Sequence, residues 1–184
     1  MTLFSYLILG SAVLVVLFIY ILLTYNSVIR QIYRVKQEYS NIDIQLKKRS
    51  SLLQNLVDIV KTYAKHEKQT FEDIAKARSM VDISKNVTDS ARAENLLSQT
   101  YRSLYVVVES YPELKANENF QNLHNEFKRT EDSIAIYREE YNKAVLQYNT
   151  LIQTFPNLLV TTLFNFQPSP FFEAKNTDDN KITI

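Results

Sequence analysis

Residues 3–23 read LFSYLILGSAVLVVLFIYILL, and the chain runs on as TYNSVIRQIYRVKQEYSNIDIQLKKRSSLLQNLVDIVKTY to Tyr63. Two patterns overlap in this stretch. From Leu3 to Leu23 there is no charge, and every residue except Ser5, Gly10 and Ser11 is apolar or aromatic. As a helix rising 1.5 Å per residue, it spans roughly 30 Å, one hydrocarbon core. The second pattern is a seam: Phe18, Ile21, Tyr25, Val28, Ile32, Val35, Tyr39, Ile42, Leu46, Arg49, Leu53, Leu56, Val60, Tyr63. Its spacing alternates between three and four, the signature of one helix face. The seam starts inside the apolar stretch and leaves it. It predicts one helix that exits a bilayer and continues to about residue 64, on the order of 90 Å if unbroken. Ser50-Ser51 is the expected place for a bend, because serine competes locally for helix hydrogen bonds.

A cleaved signal peptide is the competing reading of the apolar stretch. It requires a basic n-region, a shorter apolar core and a small-residue cleavage site. Met1-Thr2 has no basic side chain, and Leu22-Leu23-Thr24-Tyr25 is a poor site. An uncleaved anchor is expected, with the lipid bilayer as partner through Leu3 to Leu23. Arg30, Arg34 and Lys36 follow close behind, then Lys47, Lys48 and Arg49. Basic flanks stay in the cytoplasm, so the N-terminus is expected outside and the rest inside.

Further along, Phe120, Leu123, Phe127, Thr130, Ile134, Tyr137, Tyr141, Ala144, Tyr148, Leu151 and Phe155 form a second seam. Shorter helices are predicted near 66–82 and 89–110. Asn86-Val87-Thr88-Asp89-Ser90 reads as a turn with an N-cap. Tyr111-Pro112 ends the third helix, since a residue before proline avoids the α region. Asn117 or Asn119 caps the fourth. Four segments with short connections favour an intramolecular bundle over an intermolecular coiled coil. After Phe155-Pro156 the periodicity stops. The remainder, with Phe164, Phe166, Phe171 and Phe172 among Pro168 and Pro170, is too aromatic for plain disorder and is expected to pack along the bundle. From Lys175 the chain is polar and expected to be flexible.

Composition narrows the chemistry. The sole glycine of the 184 residues is Gly10, which excludes phosphate-cradling loops and Rossmann turns. The absence of cysteine excludes disulfides, thiolate metal sites and thiol nucleophiles. A formal net charge of +1 gives no sign of nucleic acid as a partner. Charge is uneven, however: residues 30–85 carry 12 basic against 7 acidic side chains, and residues 86–184 carry 9 against 13. Neither histidine, His66 or His124, has the spacing of a di-iron or zincin helix motif. No catalytic residue, metal or cofactor is expected.

Arg49 stands in the first seam where a large apolar residue belongs. A buried guanidinium needs a carboxylate, and Glu131, beside Thr130 in the second seam, is the partner expected for it. The alternative is a bend at Ser50 that lets Arg49 snorkel to solvent. Arg78 poses the same question on a weaker seam.

Other residues carry a resemblance. They include Tyr25-Asn26, Ile42-Asp43-Ile44-Gln45-Leu46-Lys47-Lys48-Arg49, Tyr63-Ala64-Lys65-His66-Glu67-Lys68, Ala77-Arg78, Tyr111-Pro112-Glu113-Leu114-Lys115-Ala116-Asn117-Glu118-Asn119-Phe120, Thr130-Glu131, Tyr148-Asn149 and Phe171-Phe172-Glu173-Ala174. From about residue 25 to 174 the chain resembles the LemA family of bacterial membrane-anchored proteins. The resemblance implies an all-α protein with an N-terminal transmembrane helix and an antiparallel four-helix bundle; joined to the reading of the residues, it puts the anchor at 1–24, the bundle at 25–156 and the packed tail at 157–174. It brings no established catalytic residues. Three positions depart from the family pattern. Tyr39 stands for a common tryptophan, Gln54 for a proline and Thr62 for a glycine, so a family kink is less forced here. The expected role is non-enzymatic: a scaffold or interaction protein at the cell membrane. A homo-oligomeric assembly is the alternative, and a ligand sensor or hydrolase a third class. The polar candidates for interaction are Asp43, Lys48, His66, Glu67, Arg78, Asn117 and Asn119, joined by Arg49 and Glu131.

Overall fold

The first helix, α1, runs from Thr2 to Tyr63 without a break in the computed structural model, which describes residues 2–173. No proline or glycine falls between Ser11 and Tyr111 to stop it, and Gly10 sits in the helix with open space where a Cβ would be. The bend expected at Ser50-Ser51 leaves no interruption. Ser51 satisfies its hydroxyl on the Lys47 carbonyl 3.0 Å away, one turn back in the same helix. Gln54 keeps the backbone N–H that proline would remove.

Then come α2 (Lys68–Ile83), α3 (Val87–Glu109), α4 (Pro112–Lys115), α5 (Glu118–Gln153) and α6 (Asn157–Leu163). The described residues contain helices and connections but no strand. Four helical segments were expected; α4 and α6 are additional. The start of α3 is fixed by Asn86. Its Oδ1 accepts the Asp89 amide at 2.9 Å, and its Nδ2 donates to the Asp89 carboxylate at 2.7 Å. Pro112 opens α4 at the position where a missing N–H does no harm.

Asn117, not Asn119, caps α5: its Oδ1 accepts the Phe120 amide at 3.1 Å. Asn117→Ala is expected to cost about 1 kcal/mol, read as a lowered thermal midpoint of the full chain in detergent. Asn119→Ala, one residue inside the helix and exposed, should leave that midpoint in place.

The chain divides into two units. One comprises Met1–Gln37 with Asn142–Pro170, and the other Glu38–Tyr141 with Phe171–Ile184. In the first, Val28 and Val35 of α1 are buried, as are Val145, Tyr148 and Ile152 of α5. Arg34 donates to Gln147 at 2.8 Å. N-terminal to these contacts α1 is bare: its most apolar 18-residue window has a mean hydropathy of 2.8 and is only 6% buried. A core helix would be mostly buried. By length and composition this helix can cross a membrane.

The same unit contains α6, which the sequence periodicity does not announce. The Thr161 hydroxyl donates to the Ile152 carbonyl at 2.6 Å, satisfying a group that the end of α5 would otherwise leave open. α6 closes on a Schellman turn: Phe166 N–H bonds the Thr161 carbonyl at 3.0 Å and Asn165 N–H that of Thr162 at 3.1 Å. The turn needs a left-handed residue, and Asn165 supplies it at φ 54°. In a chain without glycine beyond residue 10, asparagine is the side chain that best tolerates this conformation. Beyond the turn, the tail bonds to α5. Tyr148 donates to the Gln167 carbonyl at 2.8 Å, and Asn149 exchanges two hydrogen bonds with Ser169 at 2.9 Å.

In the second unit the seams are buried: Ile42, Leu46, Leu53, Leu56 and Val60 on α1, and Phe120, Phe127, Ile134 and Tyr141 on α5. α2 packs on α3. Phe172 is buried against Tyr141, with ring centroids 6.4 Å apart. The first seam ends with its helix at Tyr63, whereas the second overruns α5, and Phe155 beyond it is exposed. The flexible end expected from Lys175 lies outside the described residues, as does Ala174.

Candidate functional site

The second unit buries a guanidinium in its core. Arg49 is 1% exposed, the largest of the fully buried side chains. It does not snorkel along a bent helix, because α1 stays straight enough in hydrogen bonding to carry its seam inward through Ser50. One guanidinium nitrogen lies 3.2 Å from Glu131 Oε2, which forms the expected ion pair. The approach is oblique, and none of the three guanidinium nitrogens makes a well-aligned hydrogen bond among the described residues. An aromatic face compensates in part: the guanidinium carbon sits 4.6 Å from the centre of the Phe127 ring. Glu131 is itself about half exposed, so only one end of the pair is desolvated.

A second charge pair belongs to the same unit. Glu94 on α3 is buried and holds Arg138 of α5 at 3.3 Å. Burial pushes the Glu94 carboxyl up from its ordinary value, against the pull of Arg138 and Arg49. Burial also pulls the Arg49 guanidinium down, opposed by Glu131 and Glu94. Such buried pairs add little net stability, because desolvating the charges offsets their attraction. Glu94 was not a sequence candidate. Its signal was available: it stands three before Leu97 on the apolar face of α3, just as Arg49 interrupts the face of α1.

Around Phe127 lies an aromatic stack. Tyr101 packs on Phe127 with centroids 4.0 Å apart, Tyr105 stacks on His124 at 5.1 Å, and the Tyr101 hydroxyl meets His124 Nδ1. Burial raises the Tyr101 phenol, which therefore remains the donor. Burial, aided by Lys128, lowers His124 below its ordinary 6.5, so the neutral ring accepts. The sign for stability follows. His124 contributes fully above pH 6.5, and that contribution is lost as pH falls through its lower folded value. The expected result is a thermal midpoint that drops on acidification below about pH 6.5. His124→Asn should lack that component when the two melting profiles are subtracted. Parallel profiles would refute it.

The other candidates do not converge. Asp43 pairs with Lys47 within one turn of α1, at 2.7 Å. Lys48 reaches Glu126 of α5 at 2.7 Å, and this pair holds the Glu126 carboxyl below the usual range. Arg78, which posed the same question as Arg49, is half-buried. It donates to the Ser50 carbonyl at 3.2 Å and to Gln54 Oε1, tying α2 to α1. Gln54, where the family commonly has proline, is thus a partner of Arg78. His66 is exposed between α1 and α2, and Glu67 precedes α2 without a side-chain capping bond. Tyr39, the second departure, bonds Ser90 Oγ at 2.9 Å. Among the described residues no three of His, Cys, Asp and Glu come together as metal ligands would. A groove of about 320 Å³ lies beside His124, lined by Tyr101, Arg102, Tyr105, Val106 and Lys128.

A family model described as "LemA family" matches residues 38–184. Similar curated proteins include Magnetosome protein MamQ 2 and Magnetosome protein MamQ 1 of Paramagnetospirillum magneticum. Each is 24% identical over 88% of this chain and 69% of its own length. Magnetosome protein MamQ of Magnetospirillum gryphiswaldense is 22% identical over the same shares.

Proposed function

Since this chain belongs to the LemA family, we propose that it is a single-pass protein of the bacterial cell membrane whose helical domain holds other proteins there without catalysing a reaction. The observation that carries this reading is α1. One helix is bare and apolar at its start, and its later turns bury Arg49 and the seam around it. The anchor is residues 1–24, the domain residues 25–156, and residues 157–174 its packed tail. Within the second unit, Tyr39 faces Tyr141 while Arg49 faces Glu131. Residue numbers fall on one helix as they rise on the other, which supports an antiparallel four-helix bundle of α1, α2, α3 and α5.

Asp43, Lys48, Arg49 and Arg78 are held in ion pairs and a helix tie, which supports structure over chemistry. Relatives in two species carry the name of a cell structure, not of a reaction, which also supports a role in assembly. Arg30, Arg34 and Lys36 follow the span closely and support a cytoplasmic domain.

Cross-linking of the membrane-embedded chain, followed by identification of what is captured, tests scaffolding. Recovery of no other protein from a chain that sizes as a monomer would refute it. A homo-oligomer would appear as self-cross-links and a larger particle in detergent. A domain digested by protease in intact spheroplasts would reverse the orientation.

A further inference from the structure

The first unit presents an apolar surface that water does not explain. Phe155, Leu158, Leu159, Leu163 and Phe164 all point outward from α6 and its ends, Leu159 at 66% and Leu163 at 71% exposure. Elsewhere in the domain exposed apolar side chains are scattered singly, as at Ile44, Ile83 and Ile136. The opposite face of α6 is occupied, with Val160 and Thr161 buried.

The surroundings lack charge. Residues 144–172 contain no Asp, Glu, Lys or Arg, and neither do residues 1–29. Two contacts fix where α6 stands beside α1. Asn157 Oδ1 accepts the Tyr20 hydroxyl at 2.8 Å, and Phe164 packs on Tyr25 with centroids 5.0 Å apart. α6 therefore lies along residues 20–25, the last turn of the apolar stretch and the two residues that follow it. Tyr20 is three residues inside Leu23, about 5 Å along the axis. Amphipathic segments at a bilayer surface bury their apolar face to about that depth. Tyr20 and Tyr25 are the aromatic type that marks the headgroup level. Arg30 and Arg34 come one to three turns later, where anionic headgroups would meet them.

We propose that α6 with Phe155 and Phe164 is a second membrane contact, seated at the headgroup–acyl boundary of the leaflet from which α1 emerges. The occupant of the outward face is lipid. This rests on α1 being the anchor. α6 would then brace the emerging helix through the Tyr20–Asn157 hydrogen bond and the Phe164–Tyr25 ring contact, while the Thr161 hydroxyl holds it to α5.

The absence of cysteine makes the test clean. Single cysteines at Leu159, Leu163, Ile136 and Val15 are labelled with a small fluorophore in the full chain. The chain is then placed in vesicles of phosphatidylethanolamine and phosphatidylglycerol. Quenching is read from brominated acyl chains in the bilayer and from iodide in the water. Leu159 and Leu163 are expected to be quenched by lipid several-fold more than Ile136 and to be shielded from iodide. Equal behaviour at Leu159 and Ile136, with Val15 deep in lipid, would overturn the second contact and leave the anchor standing. A wet Val15 would overturn the anchor itself. Shielding of Leu159 from both quenchers would show a protein surface covering α6, a second copy included, and would also overturn the proposal.

Discussion

Phe127→Ala is expected to cost the full chain about 3–5 kcal/mol, the range for deleting a fully buried phenylalanine. Phe127 is completely buried on α5 and has different neighbours on its two sides. Tyr101 stacks on it at 4.0 Å, and the Arg49 guanidinium sits 4.6 Å from its centre. Alanine would open a cavity, end the stack and strip the buried cation of the ring that faces it. Domains of this size are stable by about 5–15 kcal/mol. The thermal midpoint should fall by about 6–20 °C, measured by tyrosine near-ultraviolet dichroism in detergent. Arg49→Met is the counterpart and should stay within about 1 kcal/mol of the parent. Methionine fills similar space without desolvating a charge, and Glu131 is left half in water. If Phe127→Ala cost under 1 kcal/mol, this core would not be centred there. If Arg49→Met cost as much as Phe127→Ala, the ion pair would be essential to the fold.

How legible this was depends on whether a feature repeats. The α1 and α5 seams repeat through many turns, and each repetition votes for the same face. Arg49 stood out because it broke such a vote, and simple register placed Glu131 opposite it. Period tells which face is buried but not where the chain turns, so Phe155 extended the second seam past the end of α5. α6 is seven residues long and follows a proline. What holds it is a hydroxyl on a distant carbonyl and an asparagine in the left-handed region, and neither has a local pattern. Glu94 and the stack of Tyr101, Phe127 and His124 come from three-dimensional pairing of α3 with α5. The exposed polar residues of the family blocks were legible as letters but not as a site. The fold places Asp43, Lys48, Arg78 and Asn117 in separate ion pairs, ties and caps.

Two arginines in the apolar stretch are expected to release the protein from the membrane. Residues 3–23 contain 15 leucine, isoleucine, valine and phenylalanine side chains. At about 0.3–0.6 kcal/mol each, they favour insertion by roughly 5–9 kcal/mol, before small opposing contributions from Ser5, Ser11, Gly10 and the tyrosines. One arginine near the centre costs about 2.5–3.5 kcal/mol, so Val15→Arg alone should leave most of the chain inserted. Val13→Arg with Leu17→Arg costs about 5–7 kcal/mol and brings the balance close to zero. The pair lies four residues apart on one face, so snorkelling cannot carry both heads to the same interface at low cost. The readout is the fraction of full chain left in membranes after alkaline carbonate, which strips surface-bound protein and so removes any contribution from α6. The parent chain should stay in the pellet, with a mass that includes residues 1–23. The double variant should move to the supernatant. If it stayed, the chain would be held by something other than α1. If the parent lacked its first residues, the apolar stretch would be a cleaved signal and the domain would be exported together with Arg30, Arg34 and Lys36.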